Sequence, residues 1–147
     1  MNRTSQTPHI KHVFVYGTLK STQCRAKSWP CRPISIASAW TLGTLYDLGS
    51  YPALDDGDGM VLGEVWELHE TDMARTLQVL DAIEGTNQPH EPDLYERRIL
   101  PVHFLDANRT VDAYAYFYCQ KDELTPERRI LPYLERGGKR FACWPST

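Results

Sequence analysis

The sequence contains no apolar run approaching the roughly 18 residues that suggest a membrane span, and its first residues, MNRTSQTPHIKH, are polar. No membrane segment or signal segment is read from it, and the expected compartment is the cytoplasm. Basic blocks longer than a pair are also missing. With 16 Lys and Arg against 19 Asp and Glu, the formal net charge is -3, which leaves no electrostatic footprint for nucleic acid. The four cysteines, at positions 24, 31, 119 and 143, form no CxxC pair and no Cys/His spacing suited to zinc. They are read as ordinary thiols, and neither a metal nor a cofactor is expected. There is no internal repeat, low-complexity tract or linker, so the chain is read as one folding unit.

What is present suffices for one globular domain: 147 residues, 41% hydrophobic and 24% charged, are in the usual range for a chain with a real core. Its core is expected over about 12–119, between a polar N-terminal tail, 1–11, and a C-terminal short helix and tail, 120–147. Val13-Phe14-Val15-Tyr16 reads as a buried strand stopped at Gly17. The stretch from Lys20 to Pro33 is polar and irregular. Further strands are read over Ala37 to Tyr46 and Met60 to Leu68, with turn composition at Asp47 to Pro52. The acidic Asp55-Asp56-Gly57-Asp58-Gly59 invites comparison with a calcium loop, but counting from Asp56 puts Val61 where an EF-hand needs glycine. It is read as a solvated turn. Tyr95 to Phe104 and Val111 to Cys119 form a predicted hairpin around Asp106-Ala107-Asn108-Arg109, and a short helix starts near Pro126. Five strands, one good helix and no βαβ alternation predict an α+β fold: a mixed β-sheet curled into a partly closed barrel, with one main helix and short additional helices.

The main helix is predicted over Thr71 to Ile83, with Thr71 as N-cap, Asp72 at the positive end of the dipole and Gly85 as the stop. At about 100° per residue, Met73, Leu77 and Leu80 form its buried stripe, and Glu84 extends that stripe. A carboxylate there is aimed at the core or a cleft, beside unpaired helix carbonyls. Both surroundings disfavour its charged form, so its pKa is expected to move upward, as a general base working near neutral pH requires. The residues alone leave an alternative open: the helix frays before Glu84, or Glu84 pairs with Arg97 or Arg98.

Tyr16-Gly17-Thr18-Leu19 is a second candidate feature. A strand ending in glycine can turn its next backbone N–H groups into a common concavity that binds a carboxylate. Thr18 adds a hydroxyl donor, and Leu19 can anchor the loop. Scattered histidines at 69, 90 and 103 have no motif spacing to Glu84. The alternating Tyr114, Tyr116 and Tyr118 read as a strand packed on both faces.

The succession VFVYGTLK, LGTLYDLGSYPAL, GEVWEL, LDAIEG, YERR and AYAYFY resembles the γ-glutamyl cyclotransferase-like (AIG2-like) family. Members carry a Y-G-[ST]-L loop after the first strand, a Tyr-Pro turn and a D-x-x-E-G helix end. The likeness runs from about Val13 to Tyr118, and more loosely to the terminal Trp144. It implies an enzyme that cyclises a γ-glutamyl group to 5-oxoproline and releases an amine or amino acid, without a cofactor. Its partner would be a small-molecule γ-glutamyl substrate. By the same likeness, Gly17, Thr18 and Leu19 hold the substrate's α-carboxylate and amine with Tyr16 at the mouth, and Glu84 is the acid/base. Tyr51 and Pro52 border the cavity, and Tyr95 and Tyr116 are pocket members. YGTLK leans toward the γ-glutamylamine branch of the family. Gln23-Cys24-Arg25 and the proline-containing loop from Gly85 to Tyr95 depart from the family pattern beside the pocket. A non-catalytic binding or interaction module on the same fold is the alternative.

Overall fold

The computed structural model describes residues 9–146, so most of the predicted N-terminal tail, 1–11, lies outside the described residues. Strands β1 (His12–Val15), β2 (Ser35–Asp47), β3 (Pro52–Glu67), β4 (Tyr95–Phe104) and β5 (Thr110–Tyr118) form a closed barrel in the order β1-β3-β2-β4-β5. The mixed sheet expected from the sequence therefore closes completely. Four of its seams are antiparallel. The fifth joins β1 to β5 in parallel, with Val13 opposite Tyr114.

Alternation along the strands builds two cores, because successive side chains leave opposite faces of a strand. Phe14, Tyr16, Ala113, Ala115 and Phe117 pack inside the barrel with Leu45, Leu54 and Val65. Val13, Val15, Tyr116 and Tyr118 face outward, where Met73 and Leu80 of the helix α1 (Met73–Glu84) cover them. β5 is thus packed on both faces, as the sequence pattern predicts, with its alternating tyrosines on the outer one.

Several elements differ from the sequence expectations. The acidic cluster is not a turn between strands. β3 runs through it, and the pairing jumps from Gly43↔Gly59 to Thr44↔Asp55, so Asp56, Gly57 and Asp58 bulge outward and remain exposed. Their solvation is as expected, but the long β2–β3 ladder is strong enough to continue past a local insertion.

Thr71 is not an N-cap. The chain enters α1 through a 3-10 turn at Glu70–Asp72, and α1 begins at Met73 without a side-chain cap. Thr76, rather than Leu77, is fully buried on the helix stripe, while Leu77 packs at its margin. The expected short helix survives as a 3-10 turn at Pro126–Arg128. The tail beyond it is not irregular: β6 (Leu134–Arg136) and β7 (Lys139–Phe141) form a hairpin.

This tail is fastened to the barrel. Leu62 donates its N–H to the Ala142 carbonyl at 2.9 Å, and Ala142 donates to the Met60 carbonyl at 2.9 Å. Buried Lys20 donates its ammonium to the Trp144 carbonyl, and the Trp144 indole donates to Asp47. Among the described residues, no helix is long and apolar enough to cross a membrane.

Candidate active site

A pocket opens where the end of β1, the end of α1 and the start of β4 converge. All eight residues singled out in the sequence line it: Glu84, the loop Tyr16 to Leu19, and the aromatic walls Tyr51, Tyr95 and Tyr116. Arg25, Pro52, Ile83 and Leu94 are also at its surface. His69, His90 and His103 are not among its lining residues.

The loop's shape follows from where its carbonyls go. Gly17 O accepts from Lys20 N at 3.0 Å, Thr18 O accepts from Arg25 N at 2.8 Å, and Leu19 O accepts from the Trp29 indole at 3.0 Å. In a trans peptide the N–H points opposite the preceding carbonyl. Tying back the Gly17 and Thr18 carbonyls therefore turns the N–H groups of Thr18 and Leu19 the other way. Among the described residues, no protein acceptor takes the N–H of Gly17, Thr18 or Leu19 outside the strand ladders. Thr18 is itself buried, and the Leu19 side chain packs into the outer core. Glu64 steadies the far side of the loop by accepting from the Ser21 N–H at 2.8 Å and the Ser21 hydroxyl at 2.6 Å.

Gly17 is required for close approach. A Cβ at that position would stand 2.7 Å from both Cδ and Cγ of Pro52, so the Tyr-Pro turn and the loop are fitted against each other. The tyrosines are braces as well as walls. Tyr16 donates its hydroxyl to the Tyr116 carbonyl at 2.5 Å, and Tyr95 donates to the Pro52 carbonyl at 2.7 Å. Tyr51 meets the Tyr95 ring edge-on with centroids 6.3 Å apart. Burial pushes the Tyr16 and Tyr95 hydroxyls well above their ordinary pKa, with Glu84 adding to the shift in each case.

Glu84 is the last residue of α1. Gly85 closes the helix with φ of 65°, a left-handed conformation that costs other residues roughly 1–2 kcal/mol. Gly85 N–H reaches Ala82 O, and Thr86 N–H reaches Asp81 O at 2.9 Å, the paired bonds of a Schellman ending. The helix therefore does not fray before Glu84. Leu94 N–H donates to Gly85 O at 2.9 Å, and Thr86 Oγ1 donates to Tyr95 O at 2.8 Å, fixing the proline-containing loop against the helix end.

The Glu84 side chain is 13% exposed. Arg97 and Arg98, the candidate partners in the sequence, are engaged elsewhere: Arg97 with Asp81, and Arg98 with Asp56 and Glu96. Arg25 Nη1 approaches the carboxylate only to 4.0 Å, and no hydrogen bond to Glu84 is made among the described residues. Burial raises the Glu84 pKa from 4.5 to about 7, with Arg25 opposing the shift.

Asp81 was not singled out by sequence reasoning. It sits three residues before Glu84, on the same helix face. It accepts from the Tyr116 hydroxyl at 2.6 Å and from Arg97 Nη1 at 3.0 and 3.2 Å, tying the end of α1 to β4 and β5. The D-x-x-E spacing in LDAIEG was the available signal.

The family model described as gamma-glutamyl cyclotransferase, AIG2-like, matches residues 13–135. The chain belongs to this family. An AIG2-like protein from Mus musculus is 27% identical, with a TM-score of 0.61, over 95% of this chain and 100% of that one. An Arabidopsis thaliana protein solved in solution is 26% identical, with a TM-score of 0.58, over 82% of this chain and 68% of its own. YkqA of Bacillus subtilis is 25% identical at a TM-score of 0.53, and the match covers 74% of this chain but only 35% of YkqA. No curated protein matches the chain. The AIG2-like family thus accounts for the closed mixed barrel, and the chain spans the full length of its mouse relative.

Proposed function

We propose that this AIG2-like protein converts a γ-glutamyl compound into 5-oxoproline, with Glu84 moving the protons. The observation that carries the proposal is a buried carboxylate without a hydrogen-bond partner among the described residues. It faces the pocket that the loop from Tyr16 to Leu19 also lines.

The N–H groups of Thr18 and Leu19, together with that of Gly17, would receive the substrate's α-carboxylate, supported by the Thr18 hydroxyl. The tyrosine walls would hold the γ-glutamyl chain curled, so that its α-amine meets its own γ-carbonyl. Such positioning is the main catalytic requirement of an intramolecular attack. The amine arrives as ammonium. Glu84, with a pKa of about 7, accepts one proton and frees the lone pair, which forms the new C–N bond at the γ-carbon. As the tetrahedral adduct collapses, the bond from that carbon to the departing nitrogen breaks. Glu84 returns its proton to that nitrogen, then takes the second hydrogen left on the ring nitrogen and passes it to the released amine. The five-membered lactam thus leaves neutral, the amine leaves as ammonium and Glu84 is a carboxylate again. General acid–base steps of this kind are commonly worth about 10²–10⁴ in rate.

The test is a panel of γ-glutamyl amino acids, γ-glutamylamines and glutathione, assayed for 5-oxoproline. Release from at least one class is expected. Binding of these compounds with no turnover of any would instead identify a non-catalytic binding module.

A further inference from the structure

We propose that Arg25 selects the departing half of the substrate by gripping a carboxylate on it, which makes γ-glutamyl amino acids better substrates than γ-glutamylamines. The inference rests on the cyclotransferase function proposed above. It points away from the γ-glutamylamine branch to which the YGTLK motif leans.

Among the described residues, only two charged side chains line the pocket, Glu84 and Arg25. They differ in depth: the Glu84 side chain is 13% exposed, and the Arg25 side chain is 47% exposed. Glu84 is therefore at the floor and Arg25 at the rim, where the part of the substrate beyond the scissile bond must lie if the γ-glutamyl part fills the interior. Arg25 is held there by its backbone, whose N–H donates to Thr18 O at 2.8 Å and whose carbonyl accepts from Ser28 N–H at 2.9 Å. The rim cation is thus built onto the same loop that offers the N–H concavity.

Its guanidinium makes no hydrogen bond among the described residues and has Glu84 as a loose ionic neighbour. The 4.0 Å separation from Glu84 is too long for a hydrogen bond, and among the described residues no side chain or carbonyl accepts from it. An arginine fork is matched to a carboxylate, which it can bind through two parallel bonds. The α-carboxylate of the γ-glutamyl half already has a place at the loop. A γ-glutamylamine of a simple alkylamine has no second carboxylate, whereas a γ-glutamyl amino acid carries one on the half that leaves.

The test uses a matched pair, γ-glutamyl-L-alanine and γ-glutamylethylamine, which differ by that carboxylate alone. The wild-type protein should favour the alanine compound in kcat/KM by about 10- to 100-fold, the range for a charge-assisted hydrogen bond at a partly exposed site. Arg25→Met should bring the ratio close to one, and Arg25→Lys should restore part of it. Using the ratio cancels any effect of Arg25 on Glu84, because both substrates need the same proton transfers. A wild-type ratio near one, or a ratio that Arg25→Met leaves intact, overturns the assignment while the cyclotransferase function stands. Absence of 5-oxoproline from both compounds overturns that function, and this assignment with it.

Discussion

Gly17 and Pro52 are in such close contact that a single methyl group on Gly17 would stand 2.7 Å from two carbons of the proline ring. Two motifs separated in the chain, the strand-end glycine and the Tyr-Pro turn, are one packing unit at the pocket wall. Gly17→Ala should force that wall apart. An overpacked site of this kind costs typically 1–3 kcal/mol, to be read from urea unfolding. Loss of substrate affinity should exceed what the remaining folded fraction explains. Unchanged stability and KM would show that the contact is slack.

Glu84 should make the protein less stable as the medium becomes alkaline. Its folded-state pKa of about 7 is above the ordinary 4.5, so the folded state holds the proton more tightly than the unfolded one. The stability linked to this proton is complete below pH 4.5 and is lost as pH rises through 7. The charged groups around it are Arg25 from the loop and the Asp81–Arg97 pair from the helix and β4, with the neutral hydroxyls of Tyr16, Tyr95 and Tyr116 facing the same pocket. Glu84→Gln removes the titration. The variant should match the wild type near pH 4.5 and exceed it at pH 8 by on the order of 3 kcal/mol. Unfolding curves at the two pH values check this, and parallel curves for both proteins would contradict it.

Asp81 should act on turnover without touching substrate. It joins the Tyr116 hydroxyl and the Arg97 guanidinium to the turn of helix that carries Glu84. Tyr116→Phe removes one hydrogen bond to a charged acceptor and should cost about 1.5–3 kcal/mol of stability. Asp81→Ala should cost more, because it also leaves Arg97 without its partner. In Asp81→Ala, kcat should fall while KM changes little, and Asp81→Asn should recover part of the loss. Equal effects on kcat and KM would indicate a general structural role.

The local features of this site were legible in the sequence, whereas the contacts between distant segments were not. Helical periodicity puts Glu84 on the inward face of α1, and glycine marks both the end of β1 and the stop of the helix. These depend on neighbours three or four residues away. The Tyr116–Asp81 bond spans 35 residues, and barrel closure rests on a parallel contact between Val13 and Tyr114. No local pattern encodes such meetings. The β6–β7 hairpin is hard to see in the sequence because three-residue strands are too short to show alternation, although Gly137-Gly138 between them is a hairpin signal. The acidic bulge has the composition of a turn, while the ladder on either side carries the strand through it.

In the proposed reaction Glu84 transfers the protons that release 5-oxoproline. The most direct test of that role is 5-oxoproline formation by Glu84→Gln, measured on whichever γ-glutamyl compound the wild type turns over. Circular dichroism and binding of the same compound would establish that the variant is folded and occupied. The expected result is a fall of at least about 100-fold in kcat with binding retained, the scale of a lost general acid–base group. Wild-type turnover by a folded Glu84→Gln protein would show that another group moves the protons.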